Sequence, residues 1–179
     1  GLILVCAGAG GHAGTLSPFA LVREIREFFD GPIALSGSIS EGSSVLSALA
    51  LGADFAYVGT KFIATEEANA SPGYKQMIID STANDIMYSA TFTGVDGNYL
   101  RPSVVAAGLD PEEHTSGSKD DMNFSSSAIA KKDNSSKAWK DIWGSGQGIG
   151  SIKDAPSVED AVDKMVEEYQ EAKKRLDQF

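Results

Sequence analysis

One histidine in a loop that has almost no side chains is the residue best placed to do chemistry in this chain. Residues 10–14 read Gly-Gly-His-Ala-Gly and directly follow the apolar run from Leu2 to Ala7. Glycines allow a backbone and a flat ligand to approach closely. His12 is the side chain of this loop that can exchange protons near neutral pH. Because the apolar run is expected to be a buried strand, His12 would lie at a strand's carboxyl end, where parallel α/β folds place their chemistry.

Two further strand ends carry small residues that can donate hydrogen bonds. Ser36-Gly37-Ser38 follows the apolar segment 33–35, and Gly59-Thr60 follows the apolar segment 54–58. The carboxyl ends of parallel strands meet at one edge, so backbone N–H groups and the hydroxyls of Ser38 and Thr60 would form an anion site there. The sequence has no Walker-type lysine and no dinucleotide glycine pattern followed by an acidic residue. The pattern therefore favours the phosphate of a mononucleotide such as a flavin.

Strand–helix units position these loops. The predicted strands are 2–7, 33–35 and 54–58, and the predicted helices are 17–29, 41–51 and 61–68, with Ser17 and Ser40 as N-caps. Apolar strands that alternate with helices indicate a parallel sheet. A complete (β/α)₈ barrel takes about 250 residues. The fold class is therefore α/β, either a small open sheet or the last part of a barrel.

The second half of the chain has a different character. Helices are predicted over 72–80, 86–92 and 101–107, followed by a polar surface loop over 114–137 that we expect to be mobile. A second glycine-dense loop spans 144–150, and it is either a linker or an ordered part of the core. A last helix is predicted from Ser157, with Val158, Val162, Met165, Tyr169, Ala172 and Leu176 as its packing stripe. We expect strand–helix units over 1–70, a helical and loop region over 71–150, and a helix over 151–179 that packs back on them.

Composition excludes several classes of protein. The net charge of -10 over 179 residues argues against a nucleic-acid partner, which requires clustered Lys and Arg. No apolar stretch is long enough to cross a membrane. Cys6 is the single cysteine, which suits a reducing, cytoplasmic location, and its place in an apolar strand favours core packing. His12 and His114 lack the Cys and His neighbours of a metal site.

The start of the sequence carries one further expectation. The chain does not begin with Met and opens one residue before a predicted strand. We therefore expect an upstream part of the protein. The sequence leaves association into a homo-oligomer open.

Several segments together carry a family resemblance. These are Gly-Gly-His-Ala-Gly at 10–14, Ala-Leu-Ser-Gly-Ser-Ile at 34–39, and Leu-Gly-Ala-Asp-Phe-Ala-Tyr-Val-Gly-Thr-Lys-Phe-Ile-Ala-Thr-Glu-Glu at 51–67, with Phe92-Thr93-Gly94 and Gly146-Gln147-Gly148 further on. They resemble the carboxyl-terminal part of nitronate monooxygenase, formerly called 2-nitropropane dioxygenase. The resemblance extends over 2–176 apart from 114–137, and 51–67 is its most specific part. It implies the last part of an FMN-binding TIM barrel with a helical region, and oxidation of alkyl nitronates or nitroalkanes by O₂.

The resemblance also assigns roles to residues. It makes His12 the catalytic histidine, as base or as electrostatic catalyst, and it places the flavin phosphate on Tyr57-Val58-Gly59-Thr60 and Gly37-Ser38. Gly10 and Gly11 are the remaining expected flavin contacts. One alternative is a flavin-dependent enoyl-acyl-carrier-protein reductase, which shares the barrel and a similar histidine loop. The other alternative is a noncatalytic fragment that binds a phosphate ligand.

Overall fold

The computed structural model describes residues 1–114 and 141–178, so most of the predicted loop at 114–137 lies outside the described residues. The strands are β1 Leu2–Val5, β2 Gly11–His12, β3 Ile33–Ser36, β4 Phe55–Tyr57, β5 Ile86–Ser89 and β6 Gly97–Leu100. The α-helices are α1 Pro18–Arg26, α2 Gly42–Ala50, α3 Thr60–Ile63, α4 Pro72–Asp80, α5 Arg101–Ala106 and α6 Val158–Leu176. Short 3₁₀ helices within these described ranges are Ala83–Asp85, Pro111–His114 and Gln147–Ser151.

The first sheet is parallel and winds in one direction. Strands β1, β3 and β4 lie side by side in chain order. The helices between them cover the same face, because Val22 of α1 and Ala48 of α2 share one core with Leu4 and Leu35. An open doubly wound sheet places its helices on both faces, whereas a (β/α)₈ barrel places them all outside. The predicted α/β class is confirmed, and the winding is that of a barrel.

The other face of this sheet is apolar and open. Ile3 and Val5 of β1 are 59% and 41% exposed, and Phe55 and Tyr57 of β4 are 60% and 53% exposed. Alternate residues of a barrel strand point to the interior and to the helices. Since Leu4 and Leu35 point to the helices, these exposed side chains stand on the side that faces a barrel interior.

Local capping sets the ends of α1 and α2. Ser17 is the N-cap of α1 as predicted, and its side chain accepts a hydrogen bond from Ala20 N. The prediction that Ser40 caps α2 is wrong, because Glu41 is the N-cap and forms a capping box with Ser44. The Ser40 hydroxyl instead donates to Gly148 O at 2.6 Å. The Ser40 hydroxyl is therefore bonded to a distant segment of the chain and not to the helix terminus that local sequence predicts.

A second, antiparallel sheet is the main departure from the sequence-based prediction. It has the order β2-β6-β5, so the helix predicted over 86–92 is wrong and Ile86–Ser89 is a strand. Met87 and Ser89 are buried while Ile86 and Tyr88 are partly exposed, which is the period of two of a half-buried strand. Pairing with β6 decides this segment, since four residues are too few for periodicity alone to separate strand from helix.

Helix α6 packs against α2 at very short range. Gly42 N donates to the Glu168 carboxylate at 2.8 Å. A Cβ atom on Gly42 would lie 2.1 Å from Met165 O, so only glycine permits this approach of the two helices. The predicted N-cap Ser157 is confirmed. The predicted stripe is only partly right, because Ala161, Met165 and Ala172 are buried whereas Val158, Val162 and Leu176 are exposed.

Two smaller differences complete the comparison. The helix predicted over 61–68 is shorter, since α3 ends at Ile63, and the strands predicted over 2–7 and 54–58 are Leu2–Val5 and Phe55–Tyr57.

None of the helices in the described ranges combines the length and apolar character that a bilayer crossing requires.

Candidate active site

The loops after β1 and β3 are locked together. Ser38 N donates to Gly8 O at 3.3 Å. Gly37 has φ +139°, and a Cβ atom there would lie 2.3 Å from the buried Cys6 Sγ. Burial raises the pKa of the Cys6 thiol, so it stays protonated at neutral pH and acts as core packing, as predicted. The close approach at Gly37 sets the distance between these two loops.

The glycine-dense loop at 144–150 contacts the ends of β1 and β4 and strand β6. Gly146 N donates to Thr60 Oγ1 at 3.0 Å, and Gln147 N donates to Gly8 O at 2.9 Å. Ser145 N donates to Asn98 O at 3.2 Å, which adds the second sheet. The loop is thus an ordered part of the core, and the linker alternative is wrong. The sequence did not predict that the loop at 144–150 lies at the site, although the neighbouring Trp143 indicated that the loop is ordered.

The strand ends present hydrogen-bond donors to solvent. Ser38 and Gly59 are exposed, and so is Gly10 of the histidine loop. Within the described part of the chain, the Ser38 hydroxyl and the N–H groups of Gly59 and Thr60 have no hydrogen-bond acceptor. A set of neutral donors at one edge suits an anion such as a phosphate. The predicted phosphate loops therefore have donor chemistry that fits the group.

Two of the predicted cofactor residues have distinct environments. The Tyr57 ring stands on the open, inward face of the parallel sheet. The side chain of Val58 packs against the core under the helices, so only its backbone is available to a ligand. The stretch from Tyr57 to Thr60 would thus contact a ligand through one ring, backbone groups and one hydroxyl.

A two-residue strand holds His12. In β2, Gly11 pairs with Asn98 and His12 pairs with Gly97 of β6. The buried Asn98 side chain donates to Ala9 O at 2.7 Å, which fixes the chain just before the histidine. His12 is exposed, and its Nε2 lies 3.2 Å from Thr93 Oγ1. The antiparallel sheet, which the sequence did not predict, therefore helps to position His12.

Two tyrosines surround the histidine strand and remain protonated at neutral pH. Burial raises the pKa of Tyr99, and the nearby charge of Asp96 adds to the increase. Burial and then the Asp96 charge also raise the pKa of Tyr88, whose hydroxyl donates to Ala13 O at 3.1 Å. Sequence reasoning did not select these residues, and Phe92-Thr93-Gly94 was its only signal in this region.

A cavity of about 560 Å³ adjoins Gly59 on the side of α4. One wall is the stacked pair Tyr74 and Trp143, whose ring centroids are 4.9 Å apart. Burial raises the pKa of Tyr74 to about 12, and its hydroxyl donates to Gly144 O. The cavity was not predicted from the sequence, because its walls come from segments about 70 residues apart.

The described residues contain no group of three or more His, Cys, Asp or Glu side chains that could hold a metal ion. His114 ends the 3₁₀ helix Pro111–His114.

Comparison with known sequences gives a consistent result. A family model described as nitronate monooxygenase matches residues 2–168. The chain is 32% identical over 112 residues to a nitronate monooxygenase of Paraburkholderia phytofirmans, an alignment that covers 58% of this chain and 31% of that protein. It is 34% identical over 94 residues to a putative monooxygenase of Mycobacterium tuberculosis, covering 52% of this chain and 25% of that protein.

Solved structures show the same fold. The chain superposes on a nitroalkane oxidase of Streptomyces ansochromogenes with a TM-score of 0.72 at 25% identity, covering 97% of this chain and 52% of that one. It superposes on FabK of Thermotoga maritima with a TM-score of 0.73 at 23% identity, covering 98% of this chain and 56% of that one. The chain thus spans about half the length of these structures, and its fold is the carboxyl-terminal part of a TIM barrel with a helical region.

Proposed function

Because the chain belongs to the nitronate monooxygenase family, we propose that it carries the catalytic part of an FMN-dependent oxidoreductase that oxidises alkyl nitronates or nitroalkanes with O₂. The observation that carries the proposal is the position of His12. A strand of the second sheet holds it two residues after Gly10, where an added Cβ would lie 2.7 Å from Gly146 N, and Gly146 N donates to the hydroxyl of Thr60 in a predicted phosphate loop. A proton-transfer group and a mononucleotide site are the two parts that such an oxidation needs.

The cofactor would be held by strand-end loops. Its phosphate would lie on Gly37-Ser38 and Gly59-Thr60, where N–H and hydroxyl donors are exposed. Gly10, Gly11 and the backbone at Tyr57-Val58 would contact the rest of the molecule. When bound, a flavin supplies the electron-transfer chemistry between the organic substrate and O₂.

His12 would act differently on the two substrate classes. With a neutral nitroalkane, the neutral imidazole would accept the proton from the carbon that carries the nitro group, as a general base. With an anionic nitronate, the protonated imidazole would hold the negative charge of the substrate. In both cases the pairing of β2 with β6 would hold the backbone that carries the ring.

The test compares His12→Asn with His114→Asn, a matched loss of the other histidine. Both variants should bind flavin as the unchanged protein does, measured by the visible absorbance of oxidised flavin after reconstitution. His12→Asn should lower turnover of a neutral nitroalkane by about 10²–10⁴-fold, the usual contribution of a general base. His114→Asn should leave that turnover unchanged.

Three results would contradict the proposal. One is unchanged nitroalkane turnover in His12→Asn, which would remove the base. Another is a colourless protein that cannot be reconstituted with FMN, which would support the noncatalytic fragment. The third is steady NADH consumption with an enoyl thioester and no reaction with nitroalkanes, which would support the enoyl reductase.

A further inference from the structure

The cavity beside Gly59 has walls of graded polarity. Its half-buried lining residues are all apolar or aromatic: Phe62, Ile63, Ala68, Ala70, Tyr74 and Trp143. Its exposed lining residues are Gly59, Asn69 and Ser71, so the amide and the aliphatic hydroxyl of the lining meet solvent. None of these lining residues, which all belong to the described part of the chain, is charged. This distribution suits an uncharged, apolar group.

Two hydroxyls of the lining are held by the protein itself. The Tyr74 hydroxyl donates to Gly144 O, and burial raises the pKa of Tyr74 to about 12, so the ring stays neutral. The Ser71 hydroxyl accepts a hydrogen bond from Tyr74 N at 3.2 Å as the N-cap of α4. A charged ligand would lose its hydration here with no opposite charge in the lining to replace it. An alkyl chain or an aromatic ring would lose nothing of this kind.

The aromatic wall of the cavity is supported by the core. Ile63, Tyr74 and Trp143 pack against a buried cluster that includes Leu100 and Ile149. The rings of Tyr74 and Trp143 are stacked at an interplanar angle of 18°. A wall that is already packed binds a ligand without the cost of ordering its side chains. The volume of about 560 Å³ is in the range of about 300–1,000 Å³ that accommodates drug-sized ligands, so there is room for several carbons or a ring.

The cavity borders both parts of the candidate active site. Gly59, in the predicted phosphate loop, is one of its lining residues. On the aromatic side, the Tyr74 hydroxyl is bonded to Gly144 O. A Cβ atom on Gly144 would lie 3.1 Å from Gly11 N, so the backbone of Gly144 passes close to the residue before His12. A ligand in the cavity would therefore lie next to the loops assigned to the cofactor and to the catalytic histidine.

We propose that this cavity binds the apolar substituent of the substrate, and that the substrate is a nitroalkane or nitronate with an alkyl chain of several carbons or an aryl group. The substrate class rests on the proposed function, whereas the apolar binding site rests on the lining residues alone. The carbon that carries the nitro group would lie at His12, and the substituent would extend along the rings of Tyr74 and Trp143.

The first experiment measures binding without turnover. The chain has two tryptophans, so Trp139→Phe leaves Trp143 as the single one, and its fluorescence then reports on the aromatic wall. The probes are butan-1-ol, pentan-1-ol and hexan-1-ol, which are uncharged and differ only in chain length. We expect a saturable change in emission, with a dissociation constant that falls about fourfold with each methylene, the effect of one buried CH₂ group.

A variant that fills the cavity tests where the probe binds. Ala70 is a half-buried lining residue, so Ala70→Leu places three further carbons in the cavity. It should weaken the binding of hexan-1-ol by about tenfold, since it displaces about two methylenes of the probe. Ala106→Leu is the matched control, because Ala106 is exposed on α5 and is not a lining residue. It should leave the binding of hexan-1-ol unchanged.

The kinetic arm compares nitroethane with 1-nitrohexane. We expect kcat/KM to be about 10²-fold higher for 1-nitrohexane, because four further methylenes are buried. Ala70→Leu should lower this ratio by about tenfold, and Ala106→Leu should retain it.

Three results would overturn the proposal or part of it. Absence of saturable hexan-1-ol binding would overturn the apolar site, and so would equal binding by Ala70→Leu and Ala106→Leu. Alcohol binding with equal kcat/KM for nitroethane and 1-nitrohexane would overturn the use of the cavity by the substrate. Alcohol binding in a protein that turns over no nitroalkane would support the apolar site and overturn the proposed function. The alcohol series decides the first point even if Ala70→Leu does not fold.

Discussion

Substitution of Gly37 by alanine tests the tight contact that joins the loops after β1 and β3. The new Cβ would lie 2.3 Å from Cys6 Sγ and 3.0 Å from Ala7 O, so the loops must move apart. Overpacking of this kind costs about 1–3 kcal/mol. The backbone φ of +139° adds strain of about 1–3 kcal/mol for a residue with a side chain. We expect the free energy of unfolding to fall by about 2–6 kcal/mol, a large part of the stability of a typical domain.

The assay is urea unfolding followed by circular dichroism, with two further variants as controls. Gly59→Ala is the matched control, because a Cβ atom there would meet nothing within 4 Å and the φ of Gly59 is -116°. It should change stability by no more than about 1 kcal/mol, because Gly59 is the N-cap of α3 and alanine is less favoured at that position. In the double variant Cys6→Ala with Gly37→Ala, the sulfur that the new methyl group meets is gone. A coupling energy of about 1–3 kcal/mol should therefore be recovered, while the backbone strain remains.

Two results would refute this reasoning. If Gly37→Ala unfolds at the same urea concentration as the unchanged protein, the contact between the loops is not as close as described. If removal of the Cys6 sulfur recovers no stability, the cost at Gly37 comes from the backbone alone.

The remaining predictions concern the contact between α2 and α6 and the ion pair between Arg26 and Asp54. Gly42→Ala should destabilise the protein by at least about 1–3 kcal/mol, because its methyl group would lie 2.1 Å from Met165 O and force α2 and α6 apart; equal urea midpoints for variant and unchanged protein would contradict this. Hydrogen bonds from Ile33 N and then from Arg26 lower the pKa of Asp54 below its ordinary value of 3.8. A lowered pKa means that this carboxylate stabilises the fold above pH 3.8 and that the contribution disappears as the pH falls through the lowered value. Asp54→Asn should therefore flatten the loss of unfolding free energy on acidification below pH 3.8, and an unchanged pH profile would remove Asp54 as its source.

Local signals in the sequence were enough for the strand–helix units. Ser17 before Pro18 defined the start of α1, and the helix predicted over 72–80 matches α4. These signals succeed because capping and fixed proline geometry act within a few residues of chain. The predicted Ser40 cap was wrong because the Ser40 hydroxyl donates to a residue more than 100 positions away. Local sequence carries no signal of such a contact.

The antiparallel sheet shows where local information ends. Segment 86–89 contains no proline or glycine and has apolar residues that fit a short helix as well as a strand. Its partner strand β6 and the histidine strand β2 lie at other places in the chain, and only their pairing turns the segment into a strand. Tertiary context overrides local preference in such short segments.

The sequence by itself determined the candidate chemistry: one histidine among glycines, and strand ends rich in small donors, which together with the resemblance indicated a flavin site. Only the tertiary structure decided how the histidine is held. The hydroxyl of Thr93 lies 81 residues from His12 in sequence, and the contact exists because β2 pairs with β6 and brings the turn after β5 beside the imidazole. Residue types and short spacings reveal which groups are available, whereas hydrogen-bond partners depend on distances that only the folded chain defines.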